Sequence, residues 1–310
     1  MTTLKNEVEF AGVGIHSGKP VKMVVKPSKE NGIFFYRVDV DKKFPISALY
    51  NNVSDTKMRN TTIGEINGAH VQTIEHLMAA LFIAGIDSAV IYINGPETPI
   101  LDGSASVFYE KFVDAGITKG KLKKIVVKRP VIVKASQVRK ALPLCQRLKW
   151  WFLDLIAGKK NDGFVELKPN DGGLNIFATL IYKEKIIGEQ SFGYFFDESK
   201  KSKDVFVNDV AKARTFGKYS EWEYLKKHNM ARGANENNVI ALNNTGDGVL
   251  NYLIYPDEFV RHKVIDALGD MFTSGGFINA DLVSYKGSHA LNNLLLRNLF
   301  SNPENYEIID

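Results

Sequence analysis

The stretch that decides the fold is a predicted helix in the last sixth of the chain, Arg261-His262-Lys263-Val264-Ile265-Asp266-Ala267-Leu268-Gly269-Asp270. His262, Asp266 and Asp270 recur every four residues, so their side chains project from one face of the helix. The apolar side chains of the segment form a second stripe: Val260, Val264, Ala267, Leu268 and Met271. A nitrogen and an oxygen one turn apart can share a metal ion, although such a pair is more often a surface hydrogen bond or ion pair. The segment therefore predicts a helix with one packing face and one polar face.

A second, strongly apolar segment supplies possible partners for that polar face. It reads Thr73-Ile74-Glu75-His76-Leu77-Met78-Ala79-Ala80-Leu81, and it predicts a helix with Thr73 as N-cap and Gly85 as C-terminal stop. Burying an unpaired charge in such a segment is costly, so Glu75 and His76 are expected to face a partner or a ligand. With the first segment, His76 would complete a two-histidine, one-carboxylate site with a fourth position for water, as in hydrolytic zinc centres. Glu75 would then be placed to take a proton from that water.

A third histidine begins a C-terminal apolar segment, Lys286-Gly287-Ser288-His289-Ala290-Leu291-Asn292-Asn293. The helix dipole disfavours the charged form of a histidine at a helix N-terminus, so a histidine that acts as an acid there needs a nearby carboxylate. Asp270 is the candidate carboxylate. His289 and Asp270 are therefore predicted to form a pair.

Six segments, taken in order, carry a resemblance to a known family. They span residues 12–18, 73–81, 99–105, 213–217, 257–270 and 289–293. Any one of them would be a weak signal, but the ordered set covers nearly the whole chain and is specific. It resembles the UDP-3-O-acyl-N-acetylglucosamine deacetylases, which commit Gram-negative bacteria to lipid A and hence lipopolysaccharide synthesis. The resemblance implies zinc-dependent hydrolysis of the substrate's N-acetyl group, giving UDP-3-O-acyl-glucosamine and acetate.

The resemblance also implies a metal site and a pair of proton-transfer groups. The expected Zn²⁺ ligands are His76, His262 and Asp266. Glu75 would act as general base, while His289, oriented by Asp270, would protonate the leaving amine. Amide hydrolysis needs an activated water, a polarised carbonyl and a proton for the departing nitrogen, and these groups could supply them.

Further residues are implied to contact the transition state or the substrate. Thr215 would help to stabilise the tetrahedral oxyanion, and Lys263 would contact the substrate as part of the catalytic set. Phe216 matches an aromatic that lies against the sugar. Met58 and His16 are the remaining expected substrate-binding residues, with His16 in a tight turn at the rim of the site.

The order of predicted elements indicates a duplication. Strand patterns open each half, and His76 and His262 each lie on the first long helix of their half, so a duplicated α+β unit with the site between the copies is predicted. The resemblance implies an α+β fold of two similar domains, residues 1–124 and 125–310. It implies a β-α-α-β sandwich with the helices packed between two sheets and the active site at the domain interface.

Two segments of the second half are expected to differ from the duplicated pattern. Residues 216–242 correspond to a subdomain that forms a passage for the acyl chain in the family. Residues 136–160 depart from the family and hold two of the three tryptophans. One interpretation is an amphipathic insertion that contacts the inner membrane; the favoured one is a tolerated surface insertion without a role.

Composition agrees with a cytoplasmic enzyme. The 310 residues, 45% of them hydrophobic, are enough for two cores, and the single Cys145 fits a reducing compartment. The N-terminus lacks the apolar core of a signal peptide, and no apolar run reaches the length of a membrane span. The net charge of +5 favours anionic partners only mildly, and no motif indicates nucleic-acid binding. A monomer is expected.

Three other functions fit the sequence less well. The segment Gly12-Val13-Gly14 is followed by a strand pattern rather than by the helix that a dinucleotide-binding loop requires, which argues against that function. Two histidines and a carboxylate also describe a non-haem iron oxygenase, but Glu75 and the pair of His289 with Asp270 are hydrolytic accessories. A binding protein with decayed chemistry is disfavoured because every family position holds the matching residue type.

Overall fold

The computed structural model describes residues 1–40, 44–56, 59–65, 68–140, 162–227 and 231–309. The first half contains two helices, α1 (Glu75–Ala84) and α2 (Ser106–Ala115). Its strands are β1 (Val8–Val13), β2 (Pro20–Pro27), β3 (Gly32–Arg37), β4 (Ile46–Ser47), β5 (Val53–Asp55), β6 (Thr62–Gly64), β7 (His70–Val71) and β8 (Ser88–Ile93).

The second half follows with more elements. Its helices are α3 (Ala135–Lys140), α4 (Lys200–Val205), α5 (Tyr219–Lys227), α6 (Glu258–Phe272) and α7 (His289–Phe300). Its strands are β9 (Lys124–Val127), β10 (Val131–Lys134), β11 (Phe164–Lys168), β12 (Leu174–Ile181), β13 (Glu189–Phe196), β14 (Phe216–Lys218), β15 (Ile240–Leu242), β16 (Phe277–Tyr285) and β17 (Tyr306–Ile309).

The two large sheets share one topology. The first has the order β1-β2-β8-β3-β4, and the main path of the second is β10-β11-β16-β12-β13. In each, the third and fourth strands of that order pair in parallel and the others pair antiparallel. In each half, a buried helix (α1 or α6) precedes the central strand and a second helix (α2 or α7) follows it. This repetition confirms the predicted duplication of an α+β unit.

The four main helices lie between the two sheets. Phe10 of β1 contacts Phe108 of α2, which ties this helix to the first sheet. Phe82 of α1 contacts Phe272 of α6 and stacks on Phe277 of β16 in the second sheet. These side chains belong to one continuous hydrophobic core. The arrangement confirms the predicted α+β sandwich, and it buries the facing surfaces of α1 and α6.

The sequence patterns follow from these positions. All ten residues of α1 are buried, which explains why its sequence is apolar all round instead of amphipathic. Strand β12 is covered by helices on one face only, and its burial alternates accordingly. The inward side chains of β12 are Leu174, Ile176, Ala178 and Leu180.

The predicted start of α1 is wrong, whereas its predicted end is confirmed. Thr73 has a left-handed backbone with φ of 59°, which differs from the extended backbone of a capping residue. Ile74 occupies the N-cap position without a side-chain cap. The Thr73 hydroxyl instead donates to the buried Glu97 carboxylate at 3.2 Å. Gly85 ends the helix in the left-handed conformation with φ of 78°, as expected.

The structure leaves some of the sequence-based predictions untested. The domain boundary after residue 124 stays a prediction, although β9 begins at Lys124 and pairs with β16 and β17. Of the segment 136–160, residues 141–160 lie outside the described residues, and so does Met58. Within 216–242 the structure describes β14, α5 and β15. Among the described residues, no helix is long and apolar enough to cross a membrane.

Candidate metal and catalytic site

Three buried side chains from both halves form a possible metal site. His76 comes from α1, while His262 and Asp266 come from α6, and ligand atoms of the three lie within 4.8 Å of one another. The Asp266 Oδ1 atom lies 3.7 Å from His76 Nε2 and 3.4 Å from His262 Nε2. Ligands at about 2.0–2.1 Å from a tetrahedral Zn²⁺ stand about 3.3 Å apart. The spacing of Asp266 from the two histidines and the donor types therefore fit a divalent metal ion such as zinc.

Hydrogen bonds and charge states prepare these groups for a metal. The His262 Nδ1 atom lies 3.0 Å from the carbonyl oxygen of Ala213, so the proton on Nδ1 points outward and the lone pair of Nε2 faces Asp266. Burial lowers the pKa of His262 to about 3, which keeps the imidazole neutral. Lys263 Nζ donates to Asp266 Oδ2 at 2.7 Å and leaves Oδ1 facing the histidines.

Asp266 is ionised in spite of its burial. Burial by itself raises the pKa of the Asp266 carboxyl, but the positive charge of Lys263 outweighs it, with support from a hydrogen bond of His76 and the charge of His289, and holds the pKa well below its ordinary value. Neutral imidazoles and an ionised carboxylate are the forms that bind a divalent cation.

Glu75 lies next to the metal site at the start of α1. Its side chain is buried, and Oε2 accepts a hydrogen bond from the backbone N–H of Thr61 at 3.0 Å. Burial raises the pKa of Glu75, which makes it a better proton acceptor than an exposed carboxylate. The closeness of α1 to α6 depends on Gly269, because a Cβ atom there would lie 1.9 Å from the backbone oxygen of Glu75.

The predicted pair of His289 and Asp270 is present on the other side. The His289 Nδ1 atom lies 2.8 Å from Asp270 Oδ2, and Nε2 lies 3.9 Å from Asp266 Oδ2. Ser288 caps α7 by accepting a hydrogen bond from the Leu291 N–H at 3.3 Å. Burial lowers the pKa of His289, but the negative charge of Asp270 outweighs it, with smaller contributions from Asp266 and Glu75, and raises the pKa to about 9.

Phe216 and Lys263 border the metal site. The Phe216 ring centre lies 6.3 Å from that of His262, and Lys263 Nζ lies 5.6 Å from the Phe216 ring centre. Thr215 is the residue before Phe216; its N–H donates to Gly103 O at 3.0 Å and its carbonyl accepts from the N–H of Ile240 at 2.8 Å. Thr215 and Phe216 thus lie on the segment whose Ala213 carbonyl contacts His262.

The predicted turn at His16 connects to the site through a buried carboxylate. The Glu97 side chain accepts hydrogen bonds from the backbone N–H of His16 at 2.9 Å and from the Thr73 hydroxyl at 3.2 Å. The His16 carbonyl accepts from the N–H of Arg232 in the second half at 3.2 Å. The turn leads into strand β2 and not into a helix, in agreement with the argument against a dinucleotide loop.

A small pocket opens beside these groups. Its lining includes the charged and polar side chains of Lys263, Asp266, His289 and Asn292 together with Leu180 of β12. The pocket therefore reaches both the candidate metal site, at Asp266, and the histidine of the His289–Asp270 pair.

Buried polar residues that the sequence patterns did not predict support the site. Arg214 and Glu258 form a buried ion pair, with Arg214 Nε donating to Glu258 Oε1 at 2.9 Å. Glu258 precedes His262 by four residues, so an extension of the four-residue spacing could have found it. Asn292 donates to Asp270 Oδ2 at 2.8 Å from one turn beyond His289. Thr61 lies in a short loop without periodicity and carried no signal.

Two duplicated units that share a buried two-histidine, one-carboxylate site are typical of a metal-dependent hydrolase. The model of the UDP-3-O-acyl N-acetylglycosamine deacetylase family matches residues 1–301. The UDP-3-O-acyl-N-acetylglucosamine deacetylase of Helicobacter pylori is 35% identical over 99% of this chain and 94% of its own length. The proteins of the same name from Histophilus somni and Neisseria meningitidis are also 35% identical, over 99% of this chain and 92% of their own lengths. The chain therefore belongs to the UDP-3-O-acyl-N-acetylglucosamine deacetylase family, as the resemblance predicted.

Proposed function

We propose that this protein hydrolyses the N-acetyl group of UDP-3-O-acyl-N-acetylglucosamine with the help of zinc, giving UDP-3-O-acyl-glucosamine and acetate in the committed step of lipid A biosynthesis. Membership of the deacetylase family supports the reaction class. One observation carries the mechanism. The possible metal triad lies next to the buried carboxylate of Glu75 and the buried pair of His289 and Asp270.

His76, His262 and Asp266 would hold the metal. When bound, Zn²⁺ would polarise the amide carbonyl and lower the pKa of a water molecule. The two imidazoles and one carboxylate leave a position open in a tetrahedral arrangement, as catalytic zinc sites do. Ala213 and Lys263 orient two of these ligands from outside the triad.

Glu75 would act as the general base. It directly precedes His76 in α1, and its carboxylate is close enough to His76, Asp266 and His289 to interact with them electrostatically. The Thr61 N–H holds Oε2 and leaves Oε1 for the attacking water. Because burial raises the pKa of Glu75, proton transfer to it is more favourable than to an exposed glutamate.

His289 would act as the general acid. With a pKa of about 9, its imidazole carries a proton at neutral pH. Asp270 accepts the Nδ1–H, which leaves the proton on Nε2 to be donated to the departing nitrogen. The two proton-transfer groups therefore have opposite roles because their surroundings differ.

The substrate contacts are proposed from the family pattern and the borders of the site. Thr215 would help to stabilise the oxyanion, Phe216 would lie against the sugar, and Lys263 would contact the substrate next to Asp266. His16 would bind the substrate at the rim of the site. Met58, the other proposed substrate-binding residue, lies outside the described residues. The acyl passage at 216–242, a location in the cytoplasm, a peripheral contact with the inner membrane and a monomeric state remain predictions.

Acetate release from purified protein tests this proposal. The protein is stripped of metal, supplied with Zn²⁺ or Fe²⁺, and incubated with UDP-3-O-acyl-N-acetylglucosamine or with UDP-N-acetylglucosamine as a control that lacks the acyl chain. We expect acetate from the acylated substrate with zinc and without a requirement for oxygen. Zinc-loaded protein that releases no acetate, or a reaction that consumes oxygen, would overturn the proposal.

A further inference from the structure

We infer that Thr61 is a positioning residue that fixes the general base relative to the acid pair; this inference rests on the proposed function. Thr61 is 3% exposed and lies directly before β6 in the first half. Its backbone N–H donates to Glu75 Oε2 at 3.0 Å, and its hydroxyl donates to Asp270 Oδ1 at 2.5 Å. Thr61 thus binds the carboxylate of Glu75, the proposed base, and that of Asp270, which orients the proposed acid His289.

The proton of the Thr61 hydroxyl has one clear acceptor. The Oγ1 atom lies 3.3 Å from His289 Nδ1, but it lies closer to Asp270 Oδ1, and Nδ1 has its own short contact with Asp270 Oδ2. Asn292 donates a further hydrogen bond to Asp270 Oδ2. Asp270 is therefore held at both oxygens, with Thr61 bound at Oδ1.

The covalent structure of threonine makes this bridge short and stiff. The nitrogen and the hydroxyl oxygen of Thr61 are separated by the single torsion χ1, and branching at Cβ restricts that torsion. Glu75 begins α1 and Asp270 lies near the end of α6, so their separation would otherwise depend on the packing of two helices. The bridge adds a direct link between the carboxylates that these helices carry.

The consequence for catalysis is preorganisation. The base must reach the attacking water and the acid must reach the leaving nitrogen of the same amide, so an error in their relative position lowers the rate. A misplacement of about 1 Å in such an arrangement can lower the rate by about 100-fold. Thr61 does not contact the proposed metal ligands in the hydrogen bonds described, so its loss should spare metal binding.

Three substitutions separate this role from a general structural one. Thr61→Val removes the hydroxyl but keeps the volume and the backbone N–H to Glu75, and Thr61→Ser restores the hydroxyl. Thr62→Val is the matched control, because Thr62 is also 3% exposed and its hydroxyl donates to Asn60 at 3.2 Å instead of to a carboxylate of the site. Thr61→Ala serves as a second deletion if the valine variant fails to fold.

We expect kcat of Thr61→Val to fall by up to about 100-fold, with KM and zinc content little changed. Thr61→Ser should regain most of the lost rate, and Thr62→Val should behave like the unmodified protein. A Thr61→Val or Thr61→Ala protein with unchanged kcat would overturn the inference, and so would an equal loss in Thr62→Val.

Proton NMR of the metal-stripped protein gives a readout that is independent of turnover. The Nδ1–H of His289 should give a downfield resonance because it is bonded to a carboxylate, and His289→Gln identifies it. Removal of the Thr61 hydroxyl should shift or broaden this resonance, while Thr62→Val should leave it in place. An unchanged resonance in both Thr61 deletions would overturn the inference. If the unmodified protein releases no acetate, the proposed function fails, and this spectrum still decides whether Thr61 holds the pair.

Discussion

Opposite pKa shifts divide the work of the site between neighbouring residues. Burial lowers the pKa of His262 to about 3, whereas Asp270 and its neighbours overcome burial and raise the pKa of His289 to about 9. His262 is therefore neutral, the form in which it could bind a metal, whereas His289 carries a positive charge. The pKa of His289 is the higher of the two because the Asp270 carboxylate lies only 2.8 Å from its Nδ1 atom.

The protonation of His289 can be measured directly. In the metal-stripped protein, we expect its imidazole to titrate at about pH 9, above the ordinary 6.5. In Asp270→Asn the pKa should fall, because the largest attraction for the proton is lost while burial remains. NMR titration of the histidine ring protons tests this, and a value of 6.5 or lower in the unmodified protein would contradict it.

The raised pKa of His289 also makes the stability of the fold depend on pH. The pKa of His289 is higher in the folded state than its ordinary value of 6.5, so its protonation stabilises the fold fully below about pH 6.5. This contribution is lost as the pH rises through about 9. Thermal unfolding of metal-stripped protein should therefore show a loss of stability over that range, and a smaller loss in Asp270→Asn. Equal pH dependence in the two proteins would count against the assignment.

Glu75→Gln tests the general base. The amide keeps the size of the carboxylate and can still accept the N–H of Thr61, but it cannot take up a proton from water. We expect kcat to fall by about 10²- to 10⁴-fold while the protein still binds one zinc ion. Turnover and zinc content of the same preparation are measured together. Retained turnover would assign the base to another residue.

Helix α6 carries buried residues that support the site as well as two of the proposed metal ligands. Glu258, one turn before His262, accepts hydrogen bonds from the side chain of Arg214 at 2.9 Å and from its backbone N–H at 3.0 Å. Arg214 follows Ala213, whose carbonyl orients His262. The ion pair therefore holds the segment that holds the metal ligand.

Glu258→Gln should weaken both the fold and the metal site. It leaves the buried Arg214 charge without its partner, and the breaking of a buried pair costs about 3–5 kcal/mol. Urea unfolding measures the loss, and zinc affinity should fall because Ala213 is less firmly placed. The control is Glu7→Gln, which breaks the exposed pair of Lys26 and Glu7 and should leave the free energy of unfolding nearly unchanged. Similar losses in both variants would contradict this view of α6.

The long helices were predictable from sequence, and the short elements were not. Periodicity and a stop residue placed α1, α6 and α7 because each spans enough residues to show a pattern. Thr73 failed as an N-cap because the buried Glu97 carboxylate takes its hydroxyl, a contact between residues 24 positions apart. The strands β5, β6 and β7 have two or three residues each, too few for a period, so the placement of Thr61 between Glu75 and Asp270 could not be foreseen.

At the scale of the whole molecule, the candidate site lies where the two duplicated units meet. Glu75 and His76 come from the first copy, while His262, Asp266 and His289 come from the second. The resemblance supplied residue roles that spacing alone left open. The five-strand order that the two sheets share was within reach of sequence reasoning, but the close approach of α1 and α6 at Gly269 required the structure.

A metal held by both halves should stabilise the entire fold. Binding to the folded state alone adds about 4 kcal/mol when free zinc is 1,000 times the dissociation constant. We expect zinc to raise the Tm of the metal-stripped protein in one cooperative transition. His76→Ala should lose most of this increase although it keeps both ligands of α6. An unchanged zinc-dependent increase in that variant would show that the first half does not bind the metal.

The most direct test of the central proposal, a zinc hydrolase site shared by two duplicated halves, is acetate release during titration of metal-stripped protein with zinc. We predict that activity toward UDP-3-O-acyl-N-acetylglucosamine rises to a plateau at one zinc ion per chain and is abolished in both His76→Ala and His262→Ala. Activity that is independent of zinc, or that survives in either variant, would contradict the proposal.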